Sequence, residues 1–297
     1  MCLIRRTEEA IAHRYRQGKM RLPVHLSIGQ EGAAVGAMMA MPEDAHVFAS
    51  HRSHHPYLAK GGSLAKLVAE LYGRATGCTQ GWGGSMYLID PSCGFIGSFA
   101  VVGDCIAVAT GAALAFQLAG SARIAVAYFG DAAPETGQFW ESLNFAALHK
   151  LPLLYVCENN GYATQTPIAQ RQPVSPPLWL RVRGFGIPSW GCEDQPQNTY
   201  SGVEQLLTQG LPALLEIQTY RYREHVGPDY DWDLGYRTRQ EVEHQMSNDP
   251  FILLEDALRR DSGDAALKPI WAETDRQISR AFSEAEEAPW PMSEWEA

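Results

Sequence analysis

Two apolar runs in this chain each end in residues that can hold a metal ion. Arg123 to Phe129 (RIAVAYF) runs into Gly130-Asp131, and Leu151 to Cys157 (LPLLYVC) runs into Glu158-Asn159-Asn160-Gly161-Tyr162. Asn160 follows Asp131 by 29 positions. A carboxylate and an amide oxygen, with no His or Cys beside them, form a hard-oxygen donor set. That set suits Mg²⁺ or Ca²⁺ better than zinc. Mg²⁺ held by one or two protein groups usually completes its shell with water and phosphates. If both runs are neighbouring strands, Asp131 and one Asn of the pair meet at one crevice, and a metal-bridged diphosphate at the sheet edge is the expected ligand. Taken singly, Gly-Asp and Asn-Asn-Gly are ordinary turn chemistry.

The elements needed to bring these groups together are legible around them. Thr136 to Lys150 carries Phe139, Leu143, Ala146 and Ala147 on one helical face. Strand, helix and strand, with both strands apolar throughout, predict a βαβ unit in a parallel sheet buried on both faces. Its crossover should be right-handed, and ligands of such sheets bind at the carboxyl ends of the strands. Residues 107–118 read as a buried helix, and residues 213–218 as a later strand after a helix near 202–209. Upstream, residues 1–17 predict an amphipathic helix ended by Gly18, 21–29 a loop, and 30–41 a helix of small residues. Ser63 predicts the cap of a helix with Leu64, Leu67, Val68, Leu71 and Tyr72 on one face. Between them HVFASHRSHHPYLAKGG holds four histidines and Arg52. Residues 73–103 are glycine-rich with little periodicity, and so long a loop in a compact domain points to function. After Tyr236 the chain turns charged and helical, with 251–260 and 272–287 as helices.

With 297 residues, 45% hydrophobic and 20% charged, the chain can bury a large core and is not disordered. Its net charge of −10 argues against nucleic acid as a partner. Any anion it binds must be met by a local device: an arginine, a metal ion or a helix N-terminus. Six cysteines fall in no C-x-x-C pair, which suggests neither a zinc site nor a disulfide framework. The charged opening MCLIRRTEEA does not read as a signal peptide, and the weakly polar stretch 106–119 is too short to span a bilayer. A reduced, cytoplasmic protein without membrane contact is the expectation.

Gly130-Asp131-Ala132 followed by Glu158-Asn159-Asn160 resembles the thiamin diphosphate motif, Gly-Asp-Gly with Asn-Asn at similar distance. The wider chain, from about Arg5 to Pro250, is similar to the alpha subunit of two-subunit 2-oxo acid dehydrogenases of the pyruvate, branched-chain and acetoin types. The matching segments are HLSIGQEG (25–32), AELYGRATGCTQGWGGSMY (69–87), FWESLNFAALHKLPLLYVCENNGYA (139–163), LLEIQTYRY (214–222) and GYRTRQEVE (235–243). The resemblance implies a thiamin diphosphate-binding α/β fold, a parallel sheet flanked by helices, over residues 1–236. Residues 237–297 would form a helical C-terminal extension.

It also implies roles. Asp131 and Asn160 match the side-chain ligands of Mg²⁺, and Tyr162 the residue offering a backbone carbonyl. Arg52 matches the arginine that reaches the cofactor diphosphate, with His51 beside it. Val102 lies in the segment facing the aminopyrimidine ring, and Ala132 stands at the third glycine of the metal motif. His25 and His225 match two catalytic histidines flanking the reactive carbon; by their residue types alone, each reads as a surface histidine. Ala100 replaces a glycine at the cofactor wall. In REHVGPDYDWD (223–233), Val226 stands where some relatives carry a phosphorylated serine, so kinase control there is not expected.

The expected activity is decarboxylation of a 2-oxo acid, or cleavage of acetoin, with acyl transfer to a lipoyl carrier. The expected assembly is an α₂β₂ heterotetramer with a beta subunit, alongside a lipoyl acyltransferase. A carboligase or non-oxidative decarboxylase built on the same subunits is the first rival. A noncatalytic binding subunit or a dinucleotide-binding protein is the second, although no G-x-G-x-x-G follows a strand.

Overall fold

The computed structural model describes residues 1–20 and 22–292; position 21 of the expected loop and positions 293–297 of the expected extension lie outside them. In chain order the elements are α1 (Cys2–Tyr15), α2 (Glu31–Ala40), β1 (His46–Ser50), α3 (His54–Ala59), α4 (Leu64–Leu71), β2 (Phe95–Phe99), α5 (Asp104–Leu118), β3 (Ala125–Gly130), α6 (Gly137–His149) and β4 (Leu153–Asn159). A small hairpin, β5 (Tyr162–Ala163) with β6 (Thr166–Pro167), leads to α7 (Leu178–Val182), β7 (Ser189–Glu193), α8 (Pro196–Gln209) and β8 (Ala213–Gln218). Three helices close the described chain: α9 (Arg239–Met246), α10 (Pro250–Ser262) and α11 (Asp264–Glu287).

Six strands form one parallel sheet in the order β2-β1-β3-β4-β8-β7. Strand alternation splits the core in two, because successive side chains point to opposite faces. Val126, Tyr128, Leu154, Val156, Leu215 and Ile217 join a cluster with residues of α1, α2, α4, α8 and α11. Ala127, Phe129, Leu153, Tyr155, Cys157 and Leu214 join a second cluster with residues of α5, α6 and α7. This explains why β3 and β4 read as continuous apolar runs: both of their faces are buried.

Helix starts follow their caps. Ser63 accepts from the Lys66 amide, Thr136 from Phe139, and Asp249 from Phe251 with Pro250 in the first turn. The small-residue helix α2 packs against α8, and a Cβ at Gly36 would collide with the Pro196 carbonyl. The last helix folds back on α4 and α1, with Phe282 edge-on to Tyr72 at 5.9 Å.

Several elements depart from expectation: β1, α3, the β5–β6 hairpin and α7 were not read as elements from the sequence. β2 lies inside the glycine-rich stretch and β7 was not expected at all. Both are edge strands, one glycine apiece, with no apolar run to announce them. The helix α5 is buried on one face only; Val108 and Leu118 are exposed, because none of the described residues covers its outer side. All six cysteines are free thiols. No helix among the described residues is long and apolar enough to cross a membrane.

Candidate active site

Four strands that are neighbours in the order β1-β3-β4-β8 deliver their carboxyl ends to one edge of the sheet. β1 leads into His51-Arg52, β3 into Asp131-Ala132, and β4 into Asn160-Gly161-Tyr162. β8 leads through Thr219–Tyr222 into the segment that carries His225. Between these ends lies a cavity of about 120 Å³, lined by His51, Arg52, Val102, Asp131, Ala132, Asn160, Tyr162 and His225. His25 stands directly behind, its ring 4.6 Å from His51 and 5.2 Å from His225, centroid to centroid. All nine residues expected from the sequence therefore gather in one place. Larger cavities, of about 570, 500, 400 and 180 Å³, lie elsewhere and are lined by none of the nine.

Arg52 is only 6% exposed, yet no carboxylate among the described residues lies within ion-pairing distance of it. Its guanidinium donates to the carbonyl oxygens of Leu26 and, at 3.2 Å, His225. Burial, reinforced by the charge of Arg221, lowers its pKa to about 9. A buried cation with no carboxylate in direct contact, offset only at longer range by Glu158 and Glu8, faces this cavity as a site suited to an anion.

Burial and the nearby Arg52 charge also depress the histidines. His51 falls to about 4, His225 to about 3, and His25 lower still, so all three are neutral at pH 7. The Nδ1 atoms of His25 and His51 are buried without a hydrogen-bond partner. One ring nitrogen from each of the three histidines falls within 4.8 Å of the others. That is close enough for a transition metal, but the Arg52 charge beside them opposes a second cation. Neutral imidazoles, two of them with an unpartnered Nδ1 and the third 3.4 Å from Arg52 through its Nδ1, are suited to hydrogen-bond a bound ligand.

The oxygen groups sit on the opposite wall. Asp131 is 4% exposed; burial pushes its pKa up, and the Arg171 guanidinium paired with Oδ2 counteracts this. Asn160 donates from Nδ2 to Gln30 Oε1 at 3.4 Å, and its Oδ1 accepts from the Tyr162 amide at 3.1 Å. Tyr162 and Tyr220 both donate their hydroxyls to Glu241 on α9, at 2.7 and 2.8 Å.

Several supporting residues escaped the sequence reading. Glu158 forms part of the cavity floor. It accepts from Tyr128 Oη at 2.5 Å, His55 Nε2 at 2.8 Å and Gln30 Nε2 at 3.1 Å. Gln30 and Glu158 lie inside the quoted segments HLSIGQEG and CENNGYA, which is a signal that could have found them. Asp231 is buried between Arg221, at 3.2 Å, and Arg237, at 2.7 Å. It ties down the 223–233 segment that presents His225. Arg171 and Gln172, which grip Asp131, carried no signal in the sequence.

The model of the family described as "Dehydrogenase E1 component" matches residues 1–294. A pyruvate dehydrogenase E1 component subunit alpha from Rickettsia bellii is 33% identical over 99% of this chain and 91% of its own length. A subunit alpha of the same name from Zymomonas mobilis is 36% identical over 99% of this chain and 84% of its own. The alpha subunit of an acetoin:2,6-dichlorophenolindophenol oxidoreductase from Bacillus subtilis is 31% identical, over 98% and 88%.

Proposed function

The chain belongs to the dehydrogenase E1 component family, and from that premise we propose that it is the alpha subunit of a thiamin diphosphate-dependent 2-oxo acid dehydrogenase. Residues 1–236 would carry the cofactor-binding unit and 237–297 a helical extension. The observation that supports this reading most directly is Arg52, a buried cation without a carboxylate partner, across a cavity from Asp131 and Asn160.

Each residue has a task its surroundings support. Arg52 would meet the cofactor diphosphate, whose charge would add a direct counter-ion. Asp131, Asn160 and the Tyr162 carbonyl would hold Mg²⁺. Val102, Ala132 and His51, which line the same cavity, would border the cofactor. When bound, the thiazolium ring of the cofactor supplies the electron sink that decarboxylation of a 2-oxo acid requires. His25, whose Nδ1 is unpartnered, and His225, whose Nδ1 lies 3.4 Å from the Arg52 guanidinium, would exchange protons with the substrate oxygens.

A cavity of about 120 Å³ is small beside the roughly 300–1,000 Å³ typical of ligand sites. One chain therefore offers part of a site, in keeping with completion by a beta subunit in an α₂β₂ assembly. Transfer of the acyl group to a lipoyl acyltransferase belongs to the same reading. The departure at 223–233, with Val226 and an acidic aromatic sequence, favours one alternative: the same carbon chemistry with a different acceptor, as in a carboligase.

The test is calorimetric titration of thiamin diphosphate with and without Mg²⁺ and the co-expressed beta subunit, followed by carbon dioxide release from a panel of 2-oxo acids. Metal-dependent binding and release only with the partner present is the expected result. Full activity of the isolated chain, or cofactor binding indifferent to metal, would overturn the reading.

A further inference from the structure

Asp131 stands in a short turn, and a carboxylate on such a turn has two side-chain rotations to lose before it can ligate anything. Here both its side chain and its backbone are held by one segment. Arg171 pairs with Asp131 Oδ2 and, through its other terminal nitrogen, with Glu135. Gln172 donates from Nε2 to the Asp131 carbonyl at 2.8 Å and to Glu135 Oε1 at 3.2 Å. Gln172 is itself fixed, its Oε1 accepting from Arg181 on α7 at 2.8 Å.

The segment that carries this grip starts at the other candidate ligand. From Asn160 the chain turns through the hairpin β5–β6 and is pinned by Ile168 N to Gly161 O at 2.8 Å. Arg171 and Gln172 both donate their amides to Ile168 O at 3.0 Å. Arg171 Nε adds a bond to Thr166 O at 3.0 Å. The end of β4 thus reaches back and fastens the end of β3. Asp131 lines the cavity whereas Arg171 and Gln172 do not, so the grip comes from behind the carboxylate. Oδ2 is occupied by Arg171, and the backbone of Asp131 and Asn160 also hydrogen-bonds the carboxylate.

We propose that Arg171 and Gln172 are positioning residues that preset the Asp131 carboxylate, and its distance from Asn160, for the divalent metal. The proposal rests on the reading of Asp131 as a metal ligand. Partners of this kind, behind a ligating group, commonly change metal affinity by about 10- to 100-fold when removed. A guanidinium bridging two carboxylates is more than a point charge, so lysine restores only part of the function.

The experiment titrates Mn²⁺ into the complex of this chain with its beta subunit at saturating thiamin diphosphate, reading free Mn²⁺ by electron paramagnetic resonance. Arg171→Met should weaken Mn²⁺ binding by about 10- to 100-fold, Arg171→Lys by less, and Gln172→Leu by several-fold. Cofactor affinity at saturating metal should stay near wild type, a split that general loss of structure does not produce. Unchanged Mn²⁺ affinity in Arg171→Met refutes the proposal. Tighter binding refutes it too, because Arg171 would then be a competitor for Asp131. Should Arg171→Met fail to fold by circular dichroism, Gln172→Leu decides by the same criteria. If wild type itself binds no Mn²⁺ with the cofactor, the ligand assignment of Asp131 falls and the clamp with it. If wild type binds and the variants bind equally, only the clamp falls.

Discussion

Replacing Arg52 by methionine should leave the cofactor-free protein about as stable as wild type while weakening cofactor binding. A pKa lowered to about 9 means that the folded chain penalises the charged guanidinium by roughly 4–5 kcal/mol relative to water. Against this, Arg52 donates to the Leu26 and His225 carbonyl oxygens, and these charged hydrogen bonds contribute about 1.5–3 kcal/mol each, all lost in the variant. Methionine fills most of the same volume, so the two contributions nearly cancel and the cofactor-free stability should change by no more than about 2 kcal/mol. For a chain of this size each kcal/mol moves Tm by about 2–4 °C. Cofactor binding should fall, since a charged hydrogen bond to a diphosphate is worth about 1.5–3 kcal/mol, roughly 10- to 150-fold in Kd. The assay is a thermal melt of the cofactor-free variant beside calorimetric titration of thiamin diphosphate with Mg²⁺. A variant that melts lower and binds as tightly as wild type would show that Arg52 is a structural residue and not an anion receptor.

Three further outcomes follow from the same geometry. Asp131→Ala should abolish Mg²⁺-dependent cofactor binding by calorimetry; retained metal dependence would move the metal elsewhere. His51, depressed to about 4, binds no proton between about pH 6.5 and 4 while the unfolded chain does, so its contribution to stability is present above pH 6.5 and lost as pH falls toward 4. Urea unfolding at pH 7 and pH 5 should therefore show a loss smaller by about 2 kcal/mol in His51→Gln than in wild type; equal losses would mean that the imidazole titrates normally. Asp231→Ala leaves Arg221 and Arg237 buried without their carboxylate, which should cost about 3–5 kcal/mol in urea unfolding and open residues 223–235 to proteolysis; an unchanged midpoint would show that the two arginines find other partners.

Local pattern carried the central elements and the ends where chemistry gathers. β3 and β4 were legible because a strand buried on both faces must be apolar throughout, and α6 because its buried face repeats with helical period. The turn residues after those strands, Gly130-Asp131 and Asn159-Asn160, could be read as an oxygen donor pair from residue type alone. Edge strands β2 and β7 were not legible, since one glycine-containing stretch of five residues looks like a loop until a neighbour pairs with it.

Proximity between distant segments was decided only by the tertiary structure. His25, His51 and His225 lie on three separate stretches of chain. They meet because β1 neighbours β3 in the sheet and because Asp231 pulls the 223–233 segment down between Arg221 and Arg237. The depressed histidines and the unpaired Arg52 arise from that gathering: burial is a property of all the neighbours together, and no spacing in the sequence encodes it. The grip of Arg171 on Asp131 has the same origin. Forty residues separate the pair, and only the hairpin after β4, folding back across the strand ends, gives that arginine a carboxylate to hold.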